Sequence, residues 1–160
     1  MSIKVKVLFV CLGNICRSPT AHGVFRQMVR DQKLEHLIEI DSAGTADYHI
    51  GKGPDERSTK LALERGIEMA DLRARQVDLG DFMIYDYVIA MDDSNYSNLR
   101  DLALPEYYDK ISMFLDFAEN WSEREVPDPY YGGPEGFDRV FDMVTDASEG
   151  LLRDIKANYL

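Results

Sequence analysis

Apolar positions gather early in the chain. Over residues 4–10, Val5, Val7, Leu8, Phe9 and Val10 form a short, nearly unbroken run, the signature of a strand buried on both faces. Beyond it, Ala21, Val24, Phe25, Met28 and Val29 recur at i, i+3, i+4, i+7 and i+8, so a helix packs one face inward. Ser18 suits the N-cap of that helix, and Pro19 suits its first turn. "LIEIDSAG" (37–44) reads as a second strand, and "PDERSTKLALERG" (54–66) as a helix stopped by Gly66. "DYVIAMD" (86–92) predicts a third strand, with a helix over 94–104. A short fourth strand is expected near residues 108–111, followed by a helix from Phe114. The last helix is the plainest, because Phe137, Val140, Phe141, Val144, Leu151, Leu152 and Ile155 share one stripe. Strands alternating with helices predict an α/β fold, a three-layer sandwich in a single domain over 1–160, with a four-stranded parallel sheet covered by helices on both faces. Ligands of such sheets bind beyond the carboxyl ends of the strands, and Cys11 stands at one of those ends.

Composition narrows the partners. With 18 basic and 29 acidic residues the net charge is -11, which argues against nucleic acid or an anionic membrane as partner. It says nothing about a local basic pocket. No stretch could span a bilayer. Lys4 and Lys6 before an apolar run resemble a signal peptide, but the run is short and Asn14 and Arg17 follow at once, so a cytoplasmic chain is expected. The two cysteines, Cys11 and Cys16, lie in one short loop, which favours reactivity over a disulfide framework.

That loop carries the chemistry. Cys11 and Arg17 bracket "LGNIC", Leu12 to Cys16. A turn from a strand into a helix N-terminus aims backbone N–H groups at one point and binds an anion there. Gly13 permits unusual backbone angles, and Asn14 tolerates left-handed ones. Arg17 offers a planar fork for two phosphate oxygens. The same field favours the thiolate of Cys11, and Ser18 can donate its hydroxyl to that sulfur. A thiolate beneath a bound phosphate is a nucleophile aimed at phosphorus. The bland alternative is a cysteine acting as a small buried hydrophobe in a chance C-x5-R. The loop is not a Walker motif, and three histidines without ligand spacing make a poor zinc site, so neither metal nor cofactor is implied. Displacing a phenoxide also requires an acid. "VPDPYYGGPEG" (126–136) offers Asp128, set between two prolines, with Tyr130 and Tyr131 as walls of an aromatic pocket. A plain surface turn is the equal alternative for that stretch.

Taken together, "CLGNICRSPTA" and the remote "DPYYGG" resemble the low-molecular-weight protein tyrosine phosphatases. The similarity extends through "DSAGTADYHIGKGPDERS" (41–58) and "ARQVDLGDFMIYDYVIAMDDSN" (74–95), so it covers nearly the whole chain. The resemblance implies that Cys11 attacks phosphorus to form a phosphocysteine. Asp128 would protonate the phenoxide and then deprotonate the hydrolytic water. Arg17 and the loop Leu12, Gly13, Asn14, Ile15, Cys16 and Ser18 would hold the phosphoryl oxygens, with Leu12 and Ile15 at the base of the pocket. By the same resemblance Asn14 and Ser42 brace the loop, Ser18 supports the thiolate, and Cys16 forms a reversible disulfide with Cys11 under peroxide. Tyr48 and His49 match a rim that tunes substrate choice. The implied partners are phosphotyrosine proteins, aryl phosphates, phosphate and other oxyanions, with a tyrosine kinase as an opposing protein.

The sequence departs from that pattern in places. The family often has a histidine two positions before "ARQ", where this chain has Leu72, so one brace of the loop is missing or replaced. His22 and His36 match nothing catalytic and read as ordinary surface or helix residues. The glycines of "GKGPDE" do not complete a dinucleotide loop. An arsenate reductase of the same fold would need further cysteines to relay a disulfide outward. A binding module with a dead site would have lost Cys11, Arg17 or Asp128, and all three are present.

Overall fold

The computed structural model describes residues 2–130 and 134–160. Strands β1 (Val5–Cys11), β2 (Ile38–Gly44), β3 (Tyr87–Ala90) and β4 (Ile111–Met113) form one parallel sheet in the order β2-β1-β3-β4. Five α-helices accompany it: α1 (Arg17–Asp31), α2 (Glu56–Glu64), α3 (Leu79–Ile84), α4 (Asp93–Leu102) and α5 (Pro134–Tyr159). The period of two in β1 divides the core. Val5, Val7, Phe9 and Cys11 face a cluster built with α1 and α5, where Phe9 meets Phe25 edge-on at 5.8 Å and Phe114 at 5.1 Å. Leu8 and Val10 face the opposite cluster, with Phe82 of α3 and Leu99 of α4. Both faces of the sheet are therefore covered, and the expected three-layer α/β architecture is what forms.

The departures from expectation have local causes. Helix α1 starts at Arg17 with Cys16 as its N-cap, because the Ser18 hydroxyl is spent on the loop rather than on capping. Helix α3, not foreseen, is six residues long, too short to show a period. A capping box between Asp78 and Asp81 fixes its start. Pro105 opens a 3-10 turn (Pro105–Lys110) that takes up the residues expected for β4, so the strand begins at Ile111. From Phe114 a single 3-10 turn (Phe114–Phe117) forms in place of the expected helix. Phe114 and Leu115 both enter the core, and Asp146 of α5 accepts from the N–H groups of Glu119 and Asn120 at 3.3 and 2.8 Å. The stripe predicted on α5 is buried throughout.

The topology positions the site. Strand β1 is central, and its last residue, Cys11, pairs with Gly44, the last of β2. A Cβ on Gly44 would sit 2.7 Å from the Leu12 carbonyl oxygen, so only glycine lets the loop after β1 lie this close.

Candidate active site

The loop from Cys11 into α1 is fixed by its carbonyls. Cys11 accepts from the Thr45 N–H at 2.9 Å, Leu12 from Ala46 at 2.9 Å and Ile15 from Asp55 at 2.7 Å. The Cys16 carbonyl accepts from both the N–H and the hydroxyl of Thr20, at 3.1 and 2.7 Å. The N–H groups of residues 13–16 donate to no protein acceptor among the described residues. A ring of such donors at a helix N-terminus is an anion site.

Asn14, at φ 57°, takes the left-handed conformation. Gly13 does not. It instead lies against the ring of His49, whose Cδ2 is 2.9 Å from where a Cβ would be. Asn14 Nδ2 donates to Ser18 Oγ at 2.7 Å, and its Oδ1 accepts from the Arg75 N–H at 3.1 Å. With its oxygen already accepting from Asn14, the Ser18 hydroxyl has its hydrogen free for Cys11 Sγ, at 3.0 Å, or for the Ala43 carbonyl, at the longer 3.4 Å. The geometry favours the sulfur.

Leu72, where the resemblance sets a histidine, is buried in the core, and the backbone of Arg75 holds Asn14. Arg75 is itself locked to Asp41 at 3.0 Å and to Asp81 at 3.0 and 3.1 Å. Burial opposes its charge, yet the two carboxylates leave its pKa above the ordinary arginine value. Ser42 does not reach the loop directly. Its hydroxyl pairs with His22 Nδ1 at 3.0 Å, one step behind. His22 is therefore a buried helix residue rather than a surface one. Burial, aided by Arg26, lowers its pKa to about 4, so it is neutral at neutral pH.

Arg17 is 3% exposed. Its Nη1 donates to Asp92 Oδ2 at 2.7 Å and to the Val126 carbonyl at 2.9 Å, and its Nη2 lies 3.8 Å from Asp128 Oδ2. Burial works against the cation, but Cys11, Asp92 and Asp128 more than offset it and raise its pKa. The Cys16 thiol is pushed up to about 12, by burial first and then by the charge of Asp55, so it stays protonated at neutral pH.

These groups surround a cavity of about 280 Å³ lined by Cys11, Leu12, Arg17, Tyr48, Asp128 and Tyr130, among others. Ile15, Cys16 and His49 also face it, whereas Leu12, 37% exposed, stands at its mouth rather than its base. Tyr131 lies outside the described residues. Sequence reasoning missed Asp92 and Gly44. Asp92 is the N-cap of α4, two residues after the end of β3, and nothing in the sequence ties it to Arg17. Among the described residues no three His, Cys, Asp or Glu side chains are grouped to hold a metal ion. Among the described residues no helix is long and apolar enough to cross a membrane.

Comparison with known proteins places this geometry. Residues 6–159 match the family model described as low molecular weight phosphotyrosine protein phosphatase. A relative from Synechocystis sp. is 44% identical over 153 residues, covering 94% of this chain and 96% of its own. The Schizosaccharomyces pombe low molecular weight phosphotyrosine protein phosphatase is 40% identical over 156 residues, covering 97% and 99%. The crystal structure of an Entamoeba histolytica protein tyrosine phosphatase, with Hepes in its active site, superposes with a TM-score of 0.93 at 42% identity, covering 96% and 97%.

Proposed function

The chain belongs to the low molecular weight phosphotyrosine protein phosphatases, and from that premise we propose that its site, within one domain over 1–160, hydrolyses phosphotyrosine and other aryl phosphates through Cys11, Arg17 and Asp128. The Cys11 sulfur bonds to phosphorus as the bond from phosphorus to the phenolic oxygen breaks. Asp128 gives its proton to that oxygen, which leaves as the phenol. Water then adds to phosphorus, Asp128 takes its proton, and the sulfur–phosphorus bond breaks to release phosphate. The transition state spreads negative charge over the equatorial oxygens, and the Arg17 fork with the N–H groups of residues 13–16 meets it. Ser18 steadies the thiolate that departs in the second step.

The observation that carries this reading is the placement of Arg17. It is buried, fixed by Asp92 and Val126, and set between the Cys11 loop and the Asp128 carboxylate. Tyr48, His49 and Tyr130 form the rim that receives the aryl group. The natural substrates are phosphotyrosine proteins of the cytoplasm, including a tyrosine kinase. Under peroxide, Cys11 is oxidised to the sulfenic acid as peroxide is reduced to water. The Cys16 thiol then displaces water to close a disulfide, which a thiol reductant reopens.

The test is turnover of para-nitrophenyl phosphate in EDTA, wild type beside Cys11→Ser. Turnover in the wild type, lost in the variant, is expected. An unchanged Cys11→Ser rate, or a reduced wild-type protein without activity, overturns the assignment.

A further inference from the structure

Arg57, the second residue of α2, makes contacts that the mechanism leaves unused. Its Nε and Nη2 reach the two oxygens of Asp55 at 3.2 and 3.0 Å. Nη2 also donates to the Tyr130 carbonyl at 3.3 Å. The guanidinium lies 5.5 Å from the centre of the Tyr130 ring and 4.6 Å from that of Phe137 in α5. Asp55, in turn, donates its N–H to the Ile15 carbonyl. One side chain thus connects the loop that holds phosphate, the segment that carries Asp128, and the first turns of α5.

The attachment at Tyr130 has a specific consequence. The Tyr130 N–H donates to Asp128 Oδ1 at 3.0 Å, while the Tyr130 carbonyl accepts from Arg57. Asp128 and Arg57 therefore hold one residue from its two backbone groups, and a shift of Tyr130 displaces the carboxylate. On the upstream side the segment is held by Val126, whose N–H reaches Met91 and whose carbonyl takes Arg17. We propose that Arg57 is a positioning residue, a strut from the phosphate loop that sets the Asp128 carboxylate over the leaving oxygen. The inference rests on the function proposed above. Arginine suits the task, because its planar fork matches the Asp55 carboxylate while its face stacks on two aromatic rings, and the point charge of lysine cannot do both at once. The side chain is 49% exposed and its ion pair is half in solvent, so its removal alters placement far more than overall stability.

The test compares Arg57→Ala, Arg57→Lys, Asp128→Ala and the Arg57→Ala/Asp128→Ala double variant on para-nitrophenyl phosphate and on phenyl phosphate. A misplaced acid harms the poor leaving group most, so Arg57→Ala loses about tenfold in kcat/KM on phenyl phosphate and about twofold on para-nitrophenyl phosphate. Arg57→Lys loses nearly as much. In the Asp128→Ala background the Arg57 substitution has no further effect on phenyl phosphate, since the two residues act as a unit. Equal losses on both substrates, or losses that multiply in the double variant, overturn the proposal. Amide hydrogen exchange at Tyr130 reads the same strut without turnover. It quickens in Arg57→Ala, and an unchanged rate overturns the strut, whereas a wild type that hydrolyses neither substrate counts against the proposed function instead.

Discussion

Asn14 and Asp128 lie on two segments that face one cavity, and the two are held on different terms. On the first, Cys11, Asn14, Cys16, Arg17 and Ser18 are each at most 4% exposed, and four loop carbonyls are engaged by the scaffold. On the second, Val126 is fully buried, but two residues later Asp128 is 33% exposed and Tyr130 40%. The difference follows from what each must do. Donors that stabilise charge in a transition state are effective when already oriented, so their framework is stiff. The acid must approach an oxygen and then let a phenol out, which a segment pinned at one buried end and strutted at the other permits.

The largest test of this division removes the outer partner. Asp128→Ala should lower kcat/KM, which reports formation of the phosphocysteine, on phenyl phosphate by about a hundred- to a thousandfold, with a far smaller loss on para-nitrophenyl phosphate, because only the poorer leaving group needs the proton in that step. Steady-state rates on both substrates decide it, and equal losses would mean that the outer segment is not the acid.

A smaller effect comes from loosening the inner loop. Asn14→Gly keeps the backbone conformation at φ 57° but deletes the bonds to Ser18 and Arg75. It should slow both substrates alike, by about tenfold, the scale of one buried hydrogen bond lost. Asn14→Ala should be slower still, since a Cβ in the left-handed region adds about 1 kcal/mol of strain. A loss that differs between the substrates would break the division.

The smallest effect probes the support behind the loop. The unfolded chain takes a proton on His22 near its ordinary value of 6.5, while the folded chain resists until about 4. Stability from this residue is therefore complete above pH 6.5 and drains away as the pH falls toward 4. The share lost between pH 7.5 and 5.5 is about 1 kcal/mol. Burial sets most of that shift, with Arg26 and Arg30 adding to it and Asp41 and Asp71 opposing it. Urea unfolding at the two pH values should show this slope in the wild type and a shallower one in His22→Gln. Identical slopes would mean that His22 is not held neutral.

The sequence was most readable where one segment did one thing. The β1 run, the α5 stripe and the C-x5-R loop each announced themselves because period and chemistry lie within a few adjacent residues. What escaped were pairings between distant residues. Asp92 stands 75 positions from Arg17, and nothing in "AMDDSN" says which cation its carboxylate faces. Gly44 looked like an ordinary strand end, and only the parallel register with Cys11 makes its missing side chain matter. His22 read as an ordinary surface or helix residue because its partner, Ser42, lies 20 positions away on β2. Gly13 and Asn14 were both candidates for the unusual backbone angle, and the chain gave it to Asn14, whose amide also ties down Ser18. Short elements were missed, as α3 was, or displaced by a few residues, as β4 was, for a different reason: six residues or three hold too few side chains to display a period.

The cavity is small, about 280 Å³, and this bears on inhibitors. That space suits an anionic head group and one aromatic ring, at the lower edge of ordinary ligand pockets. The head group would meet backbone N–H groups, Cys11 and Arg17, features that any enzyme with the same loop presents. A second ring must lie outside, against Tyr48, 69% exposed, and Tyr130, 40% exposed. Potency in such compounds would come from the buried anion site, and selectivity from how their outer half fits these two side chains.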